Sequence, residues 1–168
     1  MTSSETLSSL TNNEKSKQEK KETIDNNKKE ELNEETNEEK NVDDLIDMTT
    51  FDQLLDMDDE DDHEFSYSIV LNYFEQAEAT FKDMDRALKN KDLKELSQLG
   101  HFLKGSSAAI GLKKVKSTCE KIQIVGNSPT EKDENALKDI GTLLSQVKTE
   151  NSEAEDYLKK FYDVQNAR

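Results

Sequence analysis

His101, Lys104 and Gly105 stand in the run His101-Phe102-Leu103-Lys104-Gly105-Ser106-Ser107-Ala108-Ala109-Ile110-Gly111-Leu112, in which a ring nucleophile is followed by a cation and then mainly by small residues. On a helix, positions i, i+3, i+4 and i+7 share one face. That face would carry the imidazole of His101, the ammonium of Lys104 and two positions with almost no side chain, Gly105 and Ala108. Neutral imidazole is a nucleophile near neutral pH. A glycine inside a helix costs about 1 kcal/mol relative to alanine, so Gly105 points to something that must approach closely. Attack by the His101 ring on a group brought to this face is the chemistry that these residue types suit.

Whether the face is open follows from helical arithmetic at about 100° per residue. Leu96, Leu99, Leu103, Ser107 and Ile110 form a stripe that would face a core, and His101, Lys104, Gly105 and Ala108 lie roughly opposite. The helix should open at Asp92, which has capping-box spacing to Glu95, and run to about Gly111. Before it, Val70, Phe74, Ala77, Phe81, Met84 and Leu88 alternate four and three apart and predict a helix from about Ser66 to Lys89. After it, Leu112, Val115, Cys119 and Ile122 predict a third helix stopping near Gly126-Asn127. Ser128-Pro129-Thr130-Glu131 reads as the start of a fourth, with the stripe Leu137, Ile140, Leu144, Val147, Asn151, Ala154, Leu158 and Phe161. Four amphipathic helices with short connections predict an all-α, antiparallel up-down four-helix bundle over residues 65–168.

Upstream, residues 1–41 lack the apolar surface to offset chain entropy and read as a disordered tail. Residues 42–64 form an acidic segment, with eleven carboxylates and no Lys or Arg from Asp43 to Glu64. Within it, Thr50 and Gln53 have capping-box spacing and predict a short extra N-terminal helix. The acidic run does not make an EF-hand: loops starting at Asp56 or Asp58 lack glycine at position 6 and place Tyr67 or Ile69 at position 12. No metal site is expected, and a solvated negative surface is the reading favoured for the run.

The formal net charge of −15 disfavours nucleic acid and anionic membranes as partners. No apolar run approaches the roughly 20 residues that span a bilayer, and no signal-peptide core is present. The one cysteine, Cys119, fits a reducing compartment and lies on a core stripe, where it reads as inert packing. The expectation is a soluble intracellular protein.

The segment around His101 resembles the phosphorylated helix of histidine-containing phosphotransfer (HPt) proteins, in particular fungal phosphorelay intermediates of the budding-yeast type. Met57-Asp58-Asp59 with Phe65, Gln76-Ala77, Thr80-Phe81, Leu99-Gly100-His101 and Cys119-Glu120-Lys121-Ile122-Gln123 carry the likeness in order, over roughly residues 48–163. The resemblance implies that His101 accepts a phosphoryl group from a receiver-domain aspartate of a hybrid histidine kinase and passes it to a response-regulator aspartate. By position, Lys104 would offset phosphoryl charge, Gly105 would leave space and Gln123 would hydrogen-bond the ring. Leu54, Met57, Phe65, Ile69 and Phe102, with Ser106, would meet the partner. One departure is Asn127, where relatives often carry a basic residue, so the charge would rest more heavily on Lys104.

No Gly-rich phosphate loop or Asp/Asn set for ATP is present, so no intrinsic cofactor is implied; Mg²⁺ would come with the partner's receiver domain. The resemblance further implies a monomer that is not an enzyme on its own, located in the cytoplasm with a nuclear pool as a family expectation. The competing class is a helical adaptor that docks receiver domains without carrying phosphate, though His101 is present. A structural coiled coil is disfavoured because caps and stops interrupt the stripes every few turns. His63 sits in the acidic run without companions and reads as a surface residue. Leu54, Met57 and Ile69 suit a core and a docking surface equally well.

Overall fold

The computed structural model describes residues 42–128 and 133–166. The tail assigned to 1–41 lies outside the described residues, as does most of the Ser128–Glu131 helix start. Described elements are α-helical: α1 (Met48–Leu55), α2 (Glu64–Lys89), α3 (Leu93–Ala109), α4 (Lys113–Gly126) and α5 (Asp133–Asn166).

Cross-helix pairs fix the topology. Ser66 meets Tyr162, Tyr73 meets Asn151, and the Gly141 backbone approaches Leu88, so α2 and α5 run antiparallel. Ser97 bonds to the Gln123 carbonyl and Lys104 pairs with Glu120, which makes α3 and α4 antiparallel as well. α2–α5 thus form the expected bundle.

Short turns of defined chemistry make these reversals. After α2, Lys91 adopts φ +57°, and the amides of Lys91 and Asp92 return to the carbonyls of Leu88 and Ala87. This is a Schellman stop with lysine where glycine is usual. After α3, Gly111 takes φ +81°, with the Gly111 and Leu112 amides returning to Ala108 and Ser107. Gly111 also accepts at its carbonyl from the Asp47 amide at 2.7 Å, and a Cβ there would meet the Asp47 carbonyl oxygen. The same turn therefore ends α3 and anchors the segment before α1.

That anchoring alters the domain reading. Residues 43–168 form one compact unit, and Leu45, Ile46, Phe51 and Leu54 are buried with the bundle's core. The acidic segment is acidic only on its outer face; its apolar residues close one end of the bundle. The cap of α1 is Asp47, not Thr50: its carboxylate accepts from the amides of Thr49 and Thr50 and from the Thr50 hydroxyl. Thr50 and Gln53 have the right spacing, but α1 begins one turn earlier, and Asp47 takes the Thr50 amide that Gln53 would have bonded. α3 opens as expected, Asp92 accepting from the Glu95 amide at 3.0 Å.

The long stripes drift as helix geometry requires. A four-three alternation averages 3.5 residues per turn against 3.6 for a straight helix, so the core-facing position creeps along the chain. At the end of α2 the buried residue is Ala87 with Leu88 only partly buried, and on α5 Tyr162 is buried with Phe161 beside it. Tyr162 was not expected in the core. Its hydroxyl donates to Ser66 Oγ at 2.9 Å, so its polar end is satisfied.

Ser66 belongs to a small polar cluster that also corrects His63. The Asp58 carboxylate, 2% exposed, accepts from the Ser66 amide at 2.7 Å, the Ser66 hydroxyl at 2.6 Å and His63 Nδ1 at 2.9 Å. Asp58 thereby caps α2 from eight residues upstream of Ser66, and half-buried His63 is a structural partner rather than a free surface ring. Burial acts to raise the Asp58 pKa, but the bonds from Ser66 and His63 outweigh it and hold the carboxyl below 3.8. A carboxyl lowered in the folded state stabilises the fold above its unfolded pKa, and that stabilisation is lost as pH falls through the folded value. Asp58→Ala is expected to cost about 2 kcal/mol at pH 7, from a lost cap and stranded donors. The gap to wild type should narrow below about pH 4. Urea denaturation across pH 2–7 reads both; equal stability at pH 7 would show that the cluster is incidental.

Cys119 lies in the core as expected. Burial, reinforced by the Glu150 carboxylate, pushes its thiol up to about 12, so it stays protonated and unreactive.

Candidate functional site

α3 is amphipathic in the sense the sequence required. Leu96, Leu103, Ser107 and Ile110 are buried, whereas His101 and Gly105 are exposed and Lys104 and Ala108 half-buried. The buried face is broader than the leucine stripe, because Ser97 and Gly100 also turn inward.

Those two small residues set the distance between α3 and α4. A Cβ on Gly100 would lie 3.1 Å from the Cys119 carbonyl oxygen and 3.2 Å from the Gln123 amide. A Cβ on Gly126 would fall 2.8 Å from the Leu93 carbonyl oxygen, again backbone against backbone. Ser97 Oγ spans the remaining gap, donating to the Gln123 carbonyl at 3.0 Å. Gly126, expected as a helix stop, is therefore small because α3 presses on it, and α4 ends there without a left-handed glycine. The close approach has one functional consequence: α4 lies alongside the residue that follows Gly100, which is His101.

The result is a groove beside His101, lined by Lys94, Ser97, Gln98, Gln123 and Asn127. Gln123 is thus brought to the histidine, as the sequence suggested, though among the described residues no hydrogen bond joins its amide to the ring. Lys104 is placed differently. Its Nζ sits 3.4 Å from Glu120 Oε1, on the α4 turn before Gln123. Gly105 has no heavy atom within 4 Å of where its Cβ would be. Nothing in the folded chain demands glycine there, in contrast to Gly100, Gly111 and Gly126.

The apolar residues assigned to docking divide. Met57 is 66% exposed, Phe65 50% and Phe102 51%, so all three are presented at the surface. Leu54, at 7% exposure, and Ile69, partly buried against the core, face inward instead. A sequence cannot make that division, because α1 packs along one stripe and frees only the residue beyond its end. Met57 and Phe65 line a common groove with Asp59, Asp62, Glu64 and Ser68. Ser106 donates its hydroxyl to the Phe102 carbonyl at 3.1 Å, one turn back on α3, and is half-buried. Sequence reasoning missed Lys94 in the His101 groove, although its place seven residues before His101, two turns along one face, was the available signal. It also missed exposed Ile124 beside Gln123.

A four-helix bundle that holds one histidine exposed in mid-helix, beside a bare glycine and a polar groove, defines a histidine-presenting helical domain. The chain belongs to the Hpt domain family, which matches residues 68–156. It is similar to multistep phosphorelay regulator 1 of Schizosaccharomyces pombe, with 52% identity over 71% of this chain and 43% of that protein. Phosphorelay intermediate protein YPD1 of Candida albicans is 43% identical over 67% of this chain and 60% of its own length. The chain thus spans between about two fifths and three fifths of these relatives. Among solved structures, yeast Ypd1p superposes with a TM-score of 0.65 at 29% identity, covering 71% of this chain and 95% of that one. A co-crystal of Saccharomyces cerevisiae Ypd1 with the receiver domain of its downstream response regulator Ssk1 matches at 35% identity and TM-score 0.64, with the same coverage.

Among the described residues no helix is long and apolar enough to cross a membrane, and no group of three or more His, Cys, Asp or Glu side chains could hold a metal ion.

Proposed function

We propose that this protein is a phosphorelay intermediate: His101 takes a phosphoryl group from a receiver-domain aspartate of a hybrid histidine kinase and gives it to the aspartate of a response regulator. The observation that carries this reading is exposed His101 on a rigid helix, with open space at Gly105 and the α4 groove alongside. In the transfer, a lone pair on the ring attacks phosphorus and a P–N bond forms. The P–O bond to the partner's aspartate breaks, and the carboxylate leaves with that electron pair. The positive charge that the ring gains is relieved by loss of its other N–H proton to water. Little covalent work falls to the protein, so positioning and charge neutralisation dominate.

In this reading Mg²⁺ is held by the receiver domain and none by this chain. Exposed Met57, Phe65 and Phe102 supply apolar contact with the receiver, and Gln123 orients the ring once the site closes. The protein acts as a monomeric carrier rather than an enzyme, in the cytoplasm and the nucleus. The co-crystallised receiver domain on the related yeast Ypd1 supports the partner class.

The decisive experiment is incubation with a purified receiver domain, phosphorylated on its aspartate, in Mg²⁺, followed by mass-spectrometric mapping of acid-labile phosphate. Label on His101 establishes the carrier. Receiver binding without label would make the protein an adaptor.

Gly105→Gln separates fold from function in the same assay. Glutamine is the better helix former by roughly 0.5–1 kcal/mol, and the space for its Cβ is open. The variant is expected to be slightly more stable, yet to transfer phosphate at least about tenfold more slowly, because its side chain displaces the approaching receiver from attack distance. Wild-type transfer would remove the reason for the glycine.

A further inference from the structure

The His101 groove has one cation on its wall. Of the residues that line it beside His101, Ser97, Gln98, Gln123 and Asn127 are neutral at all ordinary pH, and Lys94 alone is a fixed cation. Lys104, the cation that spacing from His101 would nominate, is held at 3.4 Å from Glu120 and is the more buried member of that pair. Among the described residues Lys94 has no carboxylate partner, and it is exposed. The chain carries a formal charge of −15, so an unpaired lysine in a groove beside the nucleophile stands against the general field of the molecule.

Geometry gives Lys94 reach. Seven residues before His101 on α3, it lies two turns away and within about 20° of the same direction around the helix. That is about 10 Å along the axis. Helical side chains lean toward the N-terminus, so the ring and its phosphoryl group extend back toward Lys94, whose four-carbon stem lines the same groove. Gln123 and Asn127 on α4 form the opposite wall and hold the space between them.

We propose that Lys94 is a phosphoryl-binding residue of this site: it neutralises the doubly charged phosphoryl group on His101 that Lys104, engaged by Glu120, does not fully serve. The proposal rests on the phosphocarrier reading above. It predicts that the cation's location in the groove matters, not its parent helix. A positive charge moved across to Asn127 should do the same work.

The test uses the full chain and phosphoramidate, a small donor that needs no receiver domain. The His101 lone pair forms a new P–N bond while the donor's own P–N bond breaks and ammonia leaves with that electron pair. Initial rates of phosphohistidine formation are compared for wild type, Lys94→Gln, Lys94→Arg and the double variant Lys94→Gln with Asn127→Arg. Lys94→Gln is expected to be about tenfold slower, the scale of one cation against a dianion in partly screened surroundings. Lys94→Arg and the double variant should return to near the wild-type rate. The wild-type advantage over Lys94→Gln should shrink in 1 M salt, where the Debye length falls to about 3 Å.

A wild-type rate in Lys94→Gln would overturn the proposal. So would a slow Lys94→Gln that the double variant does not rescue and salt does not affect, which would mark a structural role. If wild type labels on a residue other than His101, the carrier reading itself falls and takes this inference with it.

Discussion

His101→Gln is expected to abolish phosphate acceptance from a phosphorylated receiver domain while leaving the fold intact. Glutamine keeps a polar, helix-compatible side chain but has no basic ring nitrogen to attack phosphorus. The His101 ring is exposed and makes no hydrogen bond among the described residues, so stability should change by no more than about 0.5 kcal/mol. The loss of label should therefore be complete, and the thermal midpoint and circular dichroism should match wild type. His63, the other histidine, is the internal control: its Nδ1 is bonded to Asp58, and it should carry no label in either protein. Undiminished label in His101→Gln would place the phosphate elsewhere and end the present reading of α3.

Phe51→Ala should produce the largest change in stability, a loss of about 4 kcal/mol. Phe51 has no exposed surface. Its ring meets Phe161 edge-on at 5.4 Å between centroids and Tyr162 at 6.3 Å, so α1 is pinned to the far end of α5. Removing the ring leaves a cavity between α1 and α5, and aromatic pair energy is lost as well. The loss read by urea denaturation should come with weaker receiver binding, because Met57 follows α1 directly. A cost below about 1 kcal/mol would mean that α1 is an appendage to the bundle.

Much of this molecule was legible from residue order. The positions that α3 hides and shows follow from periodicity, because burying one helical face is a local geometric choice made at each turn. The cap at Asp92 and the stop at Gly111 follow from side-chain chemistry within a few residues. Resemblance named the family correctly, from motifs that outlast changes in loop and tail.

What order could not say concerns pairs distant in the chain. Thr50 and Gln53 suited a capping box, yet the helix starts one turn earlier at Asp47, whose amide is fixed by the Gly111 carbonyl. Leu54 and Met57 looked alike, and only the packing of α1 made one core and the other surface. Asp58, His63, Ser66 and Tyr162 carry no shared signal, since the cluster spans just over a hundred residues and exists only once α5 returns along α2. The same holds at the site. Composition fixed a histidine, a lysine three residues later and a glycine after it. Tertiary packing gave that lysine to Glu120 and set Lys94, two turns away, in the groove beside the ring. The sequence by itself determined which groups can react; the spacing of α3 and α4, set where Gly100 and Gly126 let backbone meet backbone, decided which charges they react beside.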